Sequence, residues 1–225
     1  MTLESSTPPA PARHRRPTGS EQPPDVVALR PLATPLPLAF LGLAVATTSF
    51  ATVQVGWLSS QQNVVVAFGV VVFAVPLQLV AAALGFLARD PVAGTGVGVL
   101  AGTWAATCVV SIANPAHATH PGLGIVLLCA AAVLLVPAAA GLAKLAAVGV
   151  LAVAALRFAV TGVYEVTASH TWMTVSGWVG IALGVVAVYA ALAFELEGAY
   201  DRTVLPTGRR TPVTDEGPPG VRAQL

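Results

Sequence analysis

The sequence contains very few charged residues. Only 9% of its 225 residues are Asp, Glu, Lys or Arg, and 56% are hydrophobic, whereas soluble domains carry about 25% charged residues. A chain of this composition lacks the polar surface that a water-soluble globule needs. Its formal net charge of +1 also argues against a nucleic-acid partner, which requires a strongly basic surface. The composition therefore indicates a protein of the lipid bilayer.

Residues that carry chemistry are equally scarce. The two cysteines, Cys108 and Cys129, lie in apolar runs, so we expect them to be small buried hydrophobic side chains. His117, His120 and His170 fall in polar segments without a credible metal-ligand spacing, and solvated loop histidines are the expectation. The sequence also lacks a nucleophile–base constellation and a phosphate-binding glycine loop. It therefore predicts no enzyme, no cofactor and no metal.

Two tails flank the apolar part of the chain. Residues 1–33 are rich in proline and polar residues, with no apolar core near the start, which is typical of a disordered tail and not of a signal peptide. Residues 201–225 are again polar. We interpret 1–33 and 201–225 as cytoplasmic tails that flank a transmembrane domain at 34–200.

The apolar part divides into runs that are long enough to cross a membrane as helices. Polar segments such as GWLSSQQN, RDP, NPAHATHP and EVTASHTWMT separate them. The predicted spans are 36–55, 64–87, 93–113, 123–140, 145–166 and 175–194. The predicted fold is therefore an all-α bundle of six transmembrane helices.

The positions of the cations support this count of spans. With six spans, ten of the eleven Lys and Arg residues fall on one side of the membrane, and the three opposite loops contain none. By the positive-inside rule both termini are then cytoplasmic, and we expect the plasma (inner) membrane. The ten cations are Arg13, Arg15, Arg16, Arg30, Arg89, Lys144, Arg202, Arg209, Arg210 and Arg222.

The eleventh cation, Arg157, lies within the fifth predicted span. The helical rise places it about 18–20 Å from Lys144, near the middle of a bilayer, where a charge costs at least ~2.5 kcal/mol. Three interpretations stay open. Arg157 attracts an anion within a pathway, or it forms half of a buried ion pair that fixes helix packing, or the helix boundary is misplaced.

Several other polar residues are possible partners within the spans. Glu165 lies about 12 Å along the helix from Arg157 and about 80° around it, so a direct pair requires both side chains to bend. Glu165 is either a proton acceptor or a hydrated helix end, and Tyr164 and Tyr189 offer hydroxyls. The membrane threonines either line a pathway or bond their own backbone; they are Thr47, Thr48, Thr95 and Thr103.

Small residues are frequent in the third and sixth spans, where they allow close helix approach. Whether they pack within one protomer or between protomers is left open by the sequence. They include Gly94, Gly96, Gly98, Gly102, Gly177, Gly180 and Gly184.

The last span and its exit carry a recognisable pattern. Gly177 and Trp178 begin a GW-x-G segment, Tyr189 follows, and the chain leaves the span as YDRTVLP, which includes Arg202, Thr203, Leu205 and Pro206. The first span opens with Pro35, Pro37 and Leu38. Over roughly residues 34–208 the chain resembles the acetate uptake transporter family, which includes the bacterial succinate–acetate permeases. Gln78 and Trp104 fall where that family has Gln and Trp.

The resemblance implies a function and a set of positions. Family members are six-helix protomers that assemble as hexamers, and each protomer has a pathway for acetate or related small carboxylates, described as proton-linked or channel-like. Bulky side chains of the first, third and fifth helices pinch that pathway, at positions that correspond here to Leu43, Leu100 and Ala154. This sequence departs from the family there, because the family's aromatic residues are absent.

We therefore predict a transporter or channel for small monocarboxylates such as acetate, with succinate as a further candidate. The implied partners are a small carboxylate anion, the lipid bilayer and other copies of the chain. A non-transporting scaffold or regulatory protein and a channel for small neutral solutes are the alternatives. The predicted pathway residues are Leu43, Thr47, Thr95, Leu100, Ala154, Arg157, Tyr164 and Glu165.

Overall fold

The computed structural model describes residues 33–114, 118–142, 144–200 and 202–208. Residues 1–32 of the first predicted tail and 201 and 209–225 of the second lie outside the described residues, as does His117. The described residues form helices and no strand, in agreement with the predicted all-α class. The helices are α1 (Leu36–Gln54), α2 (Asn63–Leu87), α3 (Pro91–Ala113), α4 (Pro121–Ala140), α5 (Leu145–Thr167) and α6 (His170–Tyr200).

All six helices are long and apolar enough to cross a membrane, which confirms the predicted number of spans within the described residues. The largest difference is α6, which has 31 residues and extends beyond the predicted span 175–194 at both ends. Only a short break separates it from α5, at Ala168, whose φ of 53° is left-handed. Hydropathy marks the part of a helix that meets hydrocarbon, and polar residues continue the helix beyond it.

The helices alternate in direction, so that one end of the bundle collects the beginnings of α1, α3 and α5. An ion pair between Lys144 and Asp90 joins the starts of α5 and α3 there. The segment that follows α6 returns to the same place, where the Ala146 amide donates to the Thr207 carbonyl at 3.1 Å. Arg89, Lys144 and Arg202 therefore lie at one end, which we call the basic end. That this end faces the cytoplasm stays a prediction.

Close packing of α6 against α1 answers part of the question about small residues. A Cβ added at Gly177 would lie 2.6 Å from Val55 Cγ1, and one added at Gly184 would meet Thr48. These two α6 glycines therefore bring two helices of the same chain together. In contrast, no atom lies within 4 Å of a Cβ added at Gly102 of α3.

Residues of the carboxyl-terminal sequence pattern contact other parts of the chain and fix the position of α6. The Tyr189 hydroxyl donates to the Pro206 carbonyl at 3.1 Å, and this bond holds the exit segment against α6. At the opposite end of the bundle, the rings of Trp57 and Trp178 meet edge to face at 6.0 Å. The pattern therefore specifies how the chain folds back at both ends of α6.

The expectation that both cysteines are buried is confirmed for one of them and wrong for the other. Cys108 is buried, whereas Cys129 is exposed on the surface of α4. An apolar run in a membrane helix includes residues that face lipid as well as residues that face the core, and composition does not separate the two.

The packing of Gly177 gives a testable prediction. We expect Gly177→Ala to destabilise the protein by about 1–3 kcal/mol, because the added methyl group overpacks the contact with Val55. The matched control is Gly102→Ala, where the space is open and alanine is the better helix former. Thermal unfolding in detergent measures both. Equal unfolding temperatures for the two variants would show that α1 and α6 do not pack this closely.

Candidate functional site

Side chains of α1, α3 and α5 that face one another form successive layers through the bundle, which we call the column. At the basic end the column begins at a small cavity of about 10 Å³. The Lys144–Asp90 ion pair borders this cavity, and Asp90 also caps α3 by accepting a hydrogen bond from the Ala93 amide at 3.0 Å. The other residues around the cavity are apolar: Leu36, Phe40, Val92, Ala93, Val97, Ala147 and Leu151.

The three residues predicted to narrow the pathway lie further along the same three helices. Leu43, Leu100 and Ala154 are each 0% exposed, so the structure places all three in the interior of the bundle. None of them is aromatic, in keeping with the departure seen in the sequence.

Three aromatic side chains form the next layer, one or two helical turns beyond the predicted pinch. Phe50 of α1 stacks on Trp104 of α3 with ring centroids 5.6 Å apart. Phe158 of α5 meets the same indole at 5.7 Å and 67°. All three are buried. Bulky aromatic side chains of α1, α3 and α5 therefore pack together in this chain, at a different depth from Leu43, Leu100 and Ala154.

Sequence reasoning placed Trp104 in the core and did not identify Phe50 or Phe158. A signal was available, because each follows a predicted pinch residue by four or seven positions on its own helix. Residues at those spacings share one face of a helix. A search for aromatic residues along the faces of Leu43, Leu100 and Ala154 would have found this aromatic layer (Phe50, Trp104 and Phe158).

Arg157 lies directly beyond the aromatic layer, inside α5, so the helix boundary was not misplaced. Its side chain is 2% exposed. The guanidinium donates to Thr161 Oγ1 at 2.7 Å and to Ser176 Oγ and Gln54 Oε1. The Thr161 and Ser176 hydroxyls are themselves 2.9 Å apart. We call Gln54, Arg157, Thr161 and Ser176 the arginine cluster.

The arginine cluster contains no carboxylate. Among the described residues, Arg157 forms no ion pair, and its side-chain partners are an amide and two hydroxyls. Glu165 instead accepts a hydrogen bond from the His120 amide at 2.8 Å, at the start of α4. Within the described residues the structure thus surrounds the Arg157 guanidinium with neutral partners and does not pair it with Glu165.

The charge of Arg157 also lies away from the middle of the span. Its backbone is twelve residues into α5, but the side chain bonds Thr161 one turn onward and reaches Gln54, the last residue of α1. Ser176 lies about 9 Å into α6 by helical rise. The guanidinium is therefore closer to the end of the bundle opposite the basic end than the sequence predicted.

A second cavity of about 20 Å³ joins the aromatic layer to the arginine cluster. This volume accommodates about one water-sized group. Its lining is mixed, with a cation, neutral polar groups and apolar side chains: Phe50, Gln54, Trp104, Thr107, Leu127, Arg157, Phe158 and Thr161. An uncompensated cation beside a cavity is suited to bind an anion.

The other predicted pathway residues are not brought to this cavity. Thr47 ties α1 to α6 by donating to the Gly180 carbonyl at 3.2 Å, and Thr95 is exposed on the outer surface of α3. Thr103 bonds the Val99 carbonyl of its own helix at 2.7 Å. Tyr164 and Glu165 are half-buried and do not line the cavity.

The absence of a side chain at Gly180, in the GW-x-G segment, leaves room for the Arg157 guanidinium. A Cβ added at Gly180 would lie 2.8 Å from Arg157 Nε and 3.1 Å from Cζ. The guanidinium therefore packs closely against α6 at Gly180, where a larger residue would leave too little room.

This contact predicts a coupling between two substitutions. We expect Gly180→Ala to destabilise the wild-type protein more than it destabilises the Arg157→Ala variant, with a coupling of about 0.5–3 kcal/mol. Unfolding of the four proteins of this double-mutant cycle measures the difference. Strict additivity would mean that the guanidinium does not rest on Gly180.

The fold is similar to that of the bacterial acetate channel SatP, with a TM-score of 0.70 over 79% of this chain and 99% of that chain, at 20% sequence identity. No protein-family model and no curated protein matches the sequence. The predicted resemblance is thereby confirmed at the level of the fold.

Proposed function

We propose that this chain is a divergent member of the acetate uptake transporter family that conducts small monocarboxylates such as acetate across the plasma membrane, with both termini in the cytoplasm. The observation that carries the proposal is the buried charge of Arg157, which has only neutral partners among the described residues. The fold shared with an acetate channel supports it.

The arrangement of the column supports passage of an anion. From the basic end, the column consists of the first cavity and then the buried layer of Leu43, Leu100 and Ala154. The aromatic layer and the cavity at Arg157 follow. A fixed cation lowers the energy of an anion that has left water. The aromatic layer separates the two cavities, so transport requires these side chains to move.

A single cation favours a monocarboxylate over a dicarboxylate such as succinate. Arg157 offers one positive charge, and the cavity beside it is small and partly apolar. A second carboxylate would be left in this lining without a counter-charge, which is unfavourable in a low dielectric. We therefore rank acetate above succinate as the substrate.

We further propose that the chain works as an oligomer, a hexamer by its resemblance to the family. Much of the outer surface of α2 is large and apolar, including Phe68, Phe73 and Leu79, which are about half exposed. Such a surface faces either lipid or a neighbouring protomer. Mass measurement of the detergent-extracted protein distinguishes a hexamer from a monomer.

Uptake of labelled acetate into proteoliposomes tests the transport proposal. We expect wild-type protein to catalyse uptake and Arg157→Gln to reduce it by at least about tenfold, because a charged hydrogen bond contributes about 1.5–3 kcal/mol. Thermal unfolding and gel filtration establish whether Arg157→Gln still folds and assembles.

Gln54→Glu is a second variant that keeps the guanidinium in place. The nearly isosteric carboxylate would neutralise Arg157, so we expect a similar loss of acetate uptake. The matched control, Gln61→Glu, adds the same charge to an exposed turn at the same end of the bundle and should retain uptake. Equal loss in both variants would show that the effect is not local to Arg157.

The same assay separates the alternatives. An intact wild-type protein that takes up no acetate supports a scaffold or regulatory protein. Equal uptake of acetate and acetamide, unaffected by Arg157→Gln, supports a channel for neutral solutes.

A further inference from the structure

Trp104 has a buried hydrogen-bond donor without an acceptor. The side chain is 3% exposed, and its indole Nε1–H has no partner among the described residues. The same is true of Nε–H of Arg157, whose other guanidinium nitrogens are bonded. A buried donor left unpaired is unfavourable, and Trp104 and Arg157 line the same cavity.

The two acceptors nearest the guanidinium are already engaged. Gln54 Oε1 accepts from Arg157 and lies 3.3 Å from Ser176 Oγ, and Thr161 Oγ1 accepts from Arg157 at 2.7 Å. The Thr107 hydroxyl donates to the Thr103 carbonyl at 2.9 Å, which directs its proton away from the cavity. What remains is a free indole N–H on one residue of the lining and a positive charge on another. This combination recognises a negatively charged acceptor and offers little to a cation.

The rest of the lining suits a short hydrocarbon group. Phe50, Leu127 and Phe158 form the apolar wall of the cavity. Its volume of about 20 Å³ admits one carboxylate oxygen as it stands, so a methyl group requires a small displacement of the aromatic rings. A longer chain would require the whole aromatic layer to separate.

We propose that Trp104 Nε1–H and the Arg157 guanidinium together bind the carboxylate of a one- or two-carbon acid, and that Trp104 is a specificity-determining residue. This inference rests on the proposed function, because it places the substrate on the transport column. In this arrangement the indole both closes the column and holds the anion. Binding and opening then involve the same side chain.

Indole N–H resonances test the site without measuring transport. The chain has four tryptophans, so the protein labelled with ¹⁵N-tryptophan in lipid nanodiscs gives four indole signals, and Trp104→Phe assigns one of them. We expect sodium acetate to shift the Trp104 signal in a saturable manner and to leave the other three in place. The shift should disappear in Gln54→Glu.

Two titrants serve as controls. Acetamide has the shape of acetate without its charge, and sodium gluconate supplies the same ionic strength with an anion too large for the cavity; neither should shift the signal. An equal shift with acetamide, or no shift with acetate while the Trp104 signal is visible, would overturn the site.

Transport by Trp104→Phe provides the second readout. Phenylalanine keeps an aromatic ring and removes the N–H, so we expect the KM for acetate to rise about tenfold with the maximal rate kept or increased. Acetate uptake without a Trp104 shift overturns this site and leaves the proposed function standing. A saturable Trp104 shift without uptake supports the site and contradicts transport.

Discussion

The packing of the helices is constrained above all by the burial of the Arg157 guanidinium, which has no carboxylate partner among the described residues. Arg157 is held by one amide and two hydroxyls from α1, α5 and α6. Neutral oxygens of this kind orient the charge without cancelling it. The arrangement is unfavourable for stability alone, because a desolvated cation needs more compensation than neutral partners supply. Under the proposed function the arrangement has an electrostatic reason, since the charge stays available to an anion in the adjoining cavity.

Three helices must meet closely for this arrangement to exist. Gly180 permits contact of the guanidinium with α6, and Thr47 binds the Gly180 carbonyl from α1. The GW-x-G segment thus determines the position of Arg157 as well as the packing of α6. The chain keeps the fold of SatP at only 20% sequence identity.

Sequence analysis predicted the six helices, their order and the gathering of Arg89 and Lys144 at one end, because length, hydropathy and charge act locally along the chain. It did not predict which face of a helix points inward. Thr95 and Cys129 are exposed although both lie in apolar spans, since lipid and protein core are equally apolar surroundings. Nor did it predict the partners of Arg157, because Gln54 is 103 residues away along the chain. The aromatic layer was missed for a similar reason: its three members come from three separate helices.

The most direct test of the uncompensated charge is crystallographic. Crystals grown in or soaked with sodium bromide locate bound anions by the anomalous scattering of bromine. We expect a bromide between Trp104 Nε1 and the Arg157 guanidinium, with Gln54, Thr161 and Ser176 still bonded to the arginine. A carboxylate found against Arg157, or bromide sites elsewhere in the bundle with this cavity dry, would contradict it.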